Sequence, residues 1–404
     1  TGPTGFNGVG PSVDSGIGFE AGTYDLSEAG PNGYTASDWI CTGGDQLDGD
    51  TVRVDAGQTV ICTIQNDDIP ATLTLVKAVI NNNGGSEQPS AWTLTATGPT
   101  GFSGSGPSVT SGAGFDAGTY DLSESGPDGY DAGAWNCEGG DQTGASISLQ
   151  NGESATCTIV NNDQEPSLTL TKQVVNDNGG TAIPSDWTLI ANGWDGLNPI
   201  AGTYNLFESG PSGYSQTSLT CDNAAGEVTS VTLDIGETVT CTFVNDDLPP
   251  SLILAKEVIN DNGGTGVPAD WALTAAGWDE SNPAAGTYAL SENGPTGYTR
   301  TSLTCSNSAG EVDSVTLGIG ESVSCTFIND DIPPSLTLQK TVVNDNGGTA
   351  VAGDWTVKAI GPVSFSGSGT GTSSGPGLQA GTYDLSETGP PGYDAGDWIC
   401  SGDG

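Results

Sequence analysis

The chain has 404 residues and a formal net charge of −43, from 50 acidic side chains against 7 basic ones, with no His and no Met. A nucleic-acid surface needs a positive footprint, so this balance excludes one. No run of about 20 apolar residues is present, so no segment is expected to insert in a membrane.

In chain order, the first segment, TGPTGFNGVGPS, matches TGPTGFSGSGPS at Thr97–Ser108, so the chain opens in mid-phrase and reads as a window cut from a longer array. The phrase A-G-T-Y-x-L-x-E-x-G-P-x-G-Y then occurs five times, at Ala21–Tyr34, Ala117–Tyr130, Ala201–Tyr214, Ala285–Tyr298 and Ala380–Tyr393. Asn-Gly-Gly motifs ending at Gly85, Gly180, Gly264 and Gly348 recur 95, 84 and 84 residues apart. A repeat of this length is one folding module, large enough for a small sandwich. The units are read as a partial repeat at 1–70, complete repeats at 71–165, 166–249 and 250–333, and a final partial repeat at 334–404.

Within 166–249 the elements follow from period-two patterning. SLTLTKQVV puts Leu168, Leu170 and Lys172 on one strand face, and NDNGG at Asn176–Gly180 is a turn. DWTLIA is a second strand, and GTYNLFE a third with Tyr204, Leu206 and Glu208 inward. After the GPSGY turn come a strand at SLTC and two more in VTLDIGETVTCTFVN, turning at Gly236. About seven short strands without helical periodicity predict an all-β fold, a tandem array of immunoglobulin-like sandwiches. The junctions NDDIPA, NNDQEP, NDDLPP and NDDIPP leave little slack, and their prolines predict a stiff rod.

Eight of the nine cysteines fall in pairs 20 or 21 residues apart, one pair per repeat: Cys41/Cys62, Cys137/Cys157, Cys221/Cys241 and Cys305/Cys325; Cys400 is left over. Zinc would call for tight C-x-x-C pairs and usually His, so disulfides made in an oxidising compartment are expected. On the chain-entropy picture each contributes about 3 kcal/mol.

Four of the seven basic residues, Lys77, Lys172, Lys256 and Lys340, occupy one repeat position on a leucine-bearing strand face. Asn66, Asn161, Asn245 and Asn329 end the last strands, and in Cys157–Asn161 alternation puts the asparagine on the inward face with Cys157 and Ile159. The phrase adds an inward glutamate: Glu28, Glu124, Glu208, Glu292 and Glu387. A desolvated lysine is a nucleophile when neutral, and a protonated carboxyl can polarise a carboxamide. Two outcomes are open: a Lys–Asn isopeptide bond, or a buried Lys–Glu ion pair with Asn hydrogen-bonded nearby.

The glutamate phrase, the L-x-L-x-K strand and the terminal Asn together resemble the Cna B-type (SpaA-like, prealbumin-fold) domains of bacterial surface proteins and pilins. That resemblance implies isopeptides joining Lys77 to Asn161, Lys172 to Asn245 and Lys256 to Asn329, promoted by Glu124, Glu208 and Glu292. Glu28 with Asn66, and Lys340 with Glu387, would take partners outside the window. The expectation is a non-enzymatic extracellular, cell-surface filament or adhesin stalk, its partners being copies of itself in a filament or matrix, or a host or cell surface at the tip. An adhesin whose modules bind carbohydrate or protein is the alternative.

Carboxylates also gather at the junctions: Asp67, Asp68, Asp163, Asp246, Asp247, Asp330 and Asp331, each expected to approach an NDNGG-type turn that carries Asp177, Asp261 or Asp345. Clustered oxygens suit Ca²⁺, the one cofactor this pattern suggests. Turn formation alone is the competing reading.

Overall fold

A computed structural model describes residues 1–402. The chain divides into two compact units: Thr1–Leu170 with Ile190–Phe207 and Thr220–Cys241, and Thr171–Leu189 with Glu208–Leu219 and the chain from Thr242 onward.

The repeat at 71–165 is the fullest. One sheet runs, in spatial order, Phe102–Ser105, Thr93–Thr97, Gly118–Ser125, Ser146–Leu149 and Asp141–Thr143. The other runs Ser108–Thr110, Thr72–Ile80, Ser154–Asp163 and Tyr130–Ala132, with Asn136–Glu138 also pairing to Ser154–Asp163. Between them lies a core that includes Leu73, Leu75, Leu94, Tyr120, Leu122, Ile147 and Ile159. The first and last strands, Thr72–Ile80 and Ser154–Asp163, bury alternate residues, as a sandwich with one wet face per sheet requires.

The first and last strands of a repeat pair in parallel: Lys77 stands opposite Ile159, and Lys256 opposite Phe327. Parallel neighbours need a long crossover, and here the rest of the module supplies it. The repeat at 250–333 has six strands, with sheets ordered Ser251–Ile259, Ser322–Asp331, Tyr298–Cys305 and Ala272–Ala275, Gly286–Asn293, Ser314–Leu317. Six strands also span 166–249, against ten in 71–165. The longer repeat adds the Gly/Ser excursion and splits the segment after Tyr130, whereas Tyr214–Cys221 and Tyr298–Cys305 run unbroken.

The outer repeats are thinner. The first has a small core of Tyr24, Val52 and Val54, and the last one of Leu338, Val357 and Ala359. The L-x-L-x-K segment of the last repeat was expected as a strand through Lys340, yet only Thr337–Leu338 is one. In the complete repeats the partner that extends this strand is the parallel last strand, and the described part of the final repeat has none. No described helix is long and apolar enough to cross a membrane.

Candidate functional site

The lysine and glutamate meet inside the sandwich, and in the repeat at 250–333 the asparagine joins them. Lys77 Nζ lies 2.7 Å from Glu124 Oε2, with side-chain exposures of 0% and 10%. Lys172 and Glu208 are 2.8 Å apart, Lys256 and Glu292 3.2 Å, and Lys340 and Glu387 2.7 Å. The lysine comes from the first strand, while Glu124 lies on the opposite sheet, paired to Leu94. The contact therefore spans the core.

Asn161, Asn245 and Asn329 are all buried. Lys256 Nζ donates to Asn329 Oδ1 at 2.6 Å and to the Phe327 carbonyl at 3.4 Å. Register explains the reach. Asn329 stands opposite Val258, two residues beyond Lys256 on the same face, a displacement of about 6.6 Å that a lysine side chain covers. Asn161 Oδ1 and Asn245 Oδ1 are buried and accept no hydrogen bond. An orphaned amide oxygen in an apolar core costs about 1–3 kcal/mol, so these carboxamides are buried without an ordinary structural reward.

Burial pulls the Lys77 amine below its ordinary range, against the opposing hydrogen bond and charge of Glu124. The same holds for Lys256, with Glu292 opposing. Desolvation thus works toward the neutral, nucleophilic amine, and the nearby carboxylate is positioned to take its proton.

The tryptophans that open the second strand belong to this site as well, although strand alternation does not mark them. Each lysine amine lies over an indole, Lys77 over Trp92, Lys172 over Trp187 and Lys256 over Trp271 at 4.8 Å, and Lys340 over Trp355 at 5.2 Å. A signal existed, since each tryptophan follows its lysine by fifteen residues. The indole also meets the closing tyrosine of the phrase edge-on, as Trp92 does Tyr130 at 5.1 Å. Tyr130 in turn donates from its hydroxyl to Asn81 Oδ1 at 2.7 Å. Gly126 of the phrase is where Trp92 lies flat, because any Cβ there would run into the indole. One fourteen-residue phrase therefore supplies the glutamate, the bed for the tryptophan and the tyrosine that steadies it.

The first and last repeats lack the full set among the described residues. Glu28 and Asn66 are exposed and have no described lysine partner, and Lys340 and Glu387 meet without an asparagine.

Disulfides join Cys41–Cys62, Cys137–Cys157, Cys221–Cys241 and Cys305–Cys325, while Cys400 is free and exposed. Cys157 lies on Ser154–Asp163 and is bonded to its antiparallel neighbour Asn136–Glu138. Lys77, in contrast, is on the parallel neighbour at the other edge of that strand. A Lys–Asn bond would thus not duplicate the disulfide. The two would hold the same strand from opposite sides.

The junction aspartates split into two groups. Asp177, Asp246 and Asp247 converge, as do Asp261, Asp330 and Asp331, with carboxylate oxygens within 4.8 Å of one another. Burial and the charges of Asp177 and Asp247 raise Asp246, and burial with Asp330 and Asp331 raises Asp261. Burial would also raise Asp331, but backbone N–H donors from Gly264 and Asn262 outweigh it and hold the carboxyl low. Oxygen-only clusters of this kind are chemically suited to Ca²⁺. Asp163 instead faces the NNNGG turn, which has no acid, and Asp67, Asp68 and Asp345 belong to neither cluster.

A family model described as a prealbumin-like fold domain matches residues 1–64, 68–159, 163–243, 247–327 and 331–404. Among solved structures, the chain is similar to the Bacillus anthracis TIE protein at 14% identity, over 77% of this chain and 68% of that one, with a TM-score of 0.36. It is similar to the pilus adhesin SpaC from Lactobacillus rhamnosus GG at 12% identity, over 77% of this chain and 56% of that one, with a TM-score of 0.21. A third similarity is to two B repeat units of the collagen binding protein of Staphylococcus aureus, at 12% identity, 79% and 92% coverage and a TM-score of 0.16. The chain thus spans about half the length of SpaC. No curated protein matches.

Proposed function

We propose that this chain, which belongs to the family of SpaA-type prealbumin-like fold domains and carries five tandem copies, is an extracellular stalk or filament segment whose complete repeats are covalently stapled. The observation that carries the reading is the buried lysine–glutamate pair and buried terminal asparagine of all three complete repeats, with the lysine and asparagine in direct contact at Lys256 and Asn329. A stalk must transmit tension between its two chain ends. In these modules the first and last strands are parallel neighbours, so pulling the ends shears one strand past the other. A Lys–Asn bond across that pair would carry the load in a covalent bond.

The chemistry balances within the site. The ammonium of Lys77 passes a proton to Glu124, leaving a neutral amine and a neutral carboxyl. Nζ attacks Cγ of Asn161, the protonated glutamate gives its proton to the amide nitrogen, which leaves as ammonia, and the carboxylate takes the second proton from Nζ as the new C–N amide bond is completed. No turnover follows, because the product is the module itself. Burial by Trp92 keeps water from competing and the amine from being solvated.

Five tandem copies of a prealbumin-like fold domain suit a surface stalk built of repeated modules. Copies of the chain, or a cell surface at the tip, are the partners such a stalk would have. Intact mass after reduction tests the stapling. The expected mass is below that of the free sequence by one ammonia for each complete repeat, and a mass equal to the free sequence would overturn it.

A further inference from the structure

Successive repeats touch through backbone groups that the repeat motifs themselves supply. Asn83, in the NNNGG turn, accepts at its carbonyl from the Ala201 N–H of the next repeat at 2.7 Å and donates from Nδ2 to the Pro199 carbonyl at 3.0 Å. Asn178 makes the same pair of contacts with Ala285 and Pro283, both at 2.8 Å. At the following joint, Ala380 N–H donates to the Asn262 carbonyl at 2.7 Å. In each case the receiving alanine opens the A-G-T-Y phrase.

A second contact runs through one linker residue. Gln164 N–H donates to the Gly129 carbonyl of its own repeat, and its carbonyl accepts from the Gly236 N–H of the next. Leu248 does likewise between Gly213 and Gly320, and Ile69 between Gly33 and Gly152. The main-chain pair is the same whether the residue is Ile, Gln or Leu.

The turn that docks is itself folded by a carboxylate. Asp163 accepts from the backbone N–H groups of Asn82, Asn83 and Gly85 at 3.0, 2.8 and 2.7 Å. Asp247 accepts from Asp177, Asn178 and Gly180, and Asp331 from Asn262 and Gly264. Three converging N–H donors form a nest that a carboxylate satisfies and without which the turn has no fixed shape. Gly84 sits at φ +98°, and a Cβ there would lie 2.8 Å from the Ala201 nitrogen. The equivalent Gly347, at φ +85°, has nothing within 4 Å.

We propose that the Asn-x-Asn-Gly-Gly turn is a docking surface whose partner is the Ala-Gly-Thr-Tyr edge of another repeat, and that Asp163, Asp247 and Asp331 are its positioning residues. Neighbouring repeats are then coupled by a built joint rather than spaced by proline linkers. The coupling is independent of the Lys–Asn bond, so it stands whether or not the repeats are stapled.

Hydrogen exchange resolved to single amides, on the full chain, tests it. The Ala201 amide is expected to be protected in the native chain, and to exchange about tenfold or more faster in Asp163→Ala and in Gly84→Ala. The Lys77 amide, bonded to the Pro107 carbonyl inside the second repeat, serves as the control for folding and stays protected. Gly347→Ala, which brings the same backbone strain without the clash, leaves Ala201 unchanged. If Asp163→Ala also exposes Lys77, Gly84→Ala alone decides. An unprotected Ala201 in the native chain, protection unchanged in Gly84→Ala, or equal loosening by Gly347→Ala overturns the proposal.

Discussion

The amine of Lys256 rests 2.6 Å from the carboxamide oxygen of Asn329, on parallel strands whose register offsets the two residues by two positions. Glu292 lies 3.2 Å from the same amine, so nucleophile, acceptor and proton carrier share one small buried space. This offset on a shared face is what lets the first strand reach the last.

Removing the carboxyl should stop the chemistry in one repeat only. Glu292→Ala is expected to retain one ammonia in the intact mass, localised by peptide mapping to Lys256 and Asn329. The same variant leaves a buried amine unpaired, a loss of about 3–5 kcal/mol for an ion pair broken on one side. A variant with native mass would refute the glutamate's role.

The lysines predict a pH signature. Burial lowers Lys77 and Lys256 below the ordinary 10.5. Between the lowered folded value and 10.5, the unfolded chain holds a proton that the folded repeat has released, so stability rises with pH across that window. Glu124→Gln, in which the amine of Lys77 stays free, retains a titrating lysine and should melt at higher temperature as pH climbs toward 10.5. A stapled repeat has no such amine and should show no rise of this origin. Melting curves of the two chains over that range separate them.

The indole over each lysine should matter more than an ordinary surface ring. Trp187→Ala removes a buried ring that packs edge-on to Tyr214 at 5.2 Å and covers Lys172 at 4.8 Å. A loss of about 3–5 kcal/mol is expected for its repeat, read by denaturant titration. Trp187→Phe should recover part of this, because a smaller aromatic face still covers the amine.

Calcium has a test that distinguishes repeats. The expectation places it at Asp177/Asp246/Asp247 and Asp261/Asp330/Asp331, whereas the turn facing Asp163 carries Asn82 in the acid's place. Chelator should lower the melting of the repeats at 166–249 and 250–333 and leave 71–165 unchanged. Equal response of all three, or none, removes the idea.

Much of this protein was legible without coordinates. Alternation of apolar residues named the strands and their inward faces, because a pleat has a period of two and one face of each sheet is dry. That put Lys, Glu and Asn inside together, and the even spacing of the cysteines named the disulfide pairs. Only the tertiary structure decided which strands lie side by side. Strand pairing depends on contacts distant in sequence, so the sequence could not show that Lys77 and Cys137 lie at opposite edges of the last strand, nor that Trp92 closes over the amine. The junction aspartates are the sharpest case. As letters, Asp163 and Asp247 look alike, yet only Asp247 has acids facing it, because the neighbours are fixed by the fold of a turn eighty residues earlier in one case and seventy in the other.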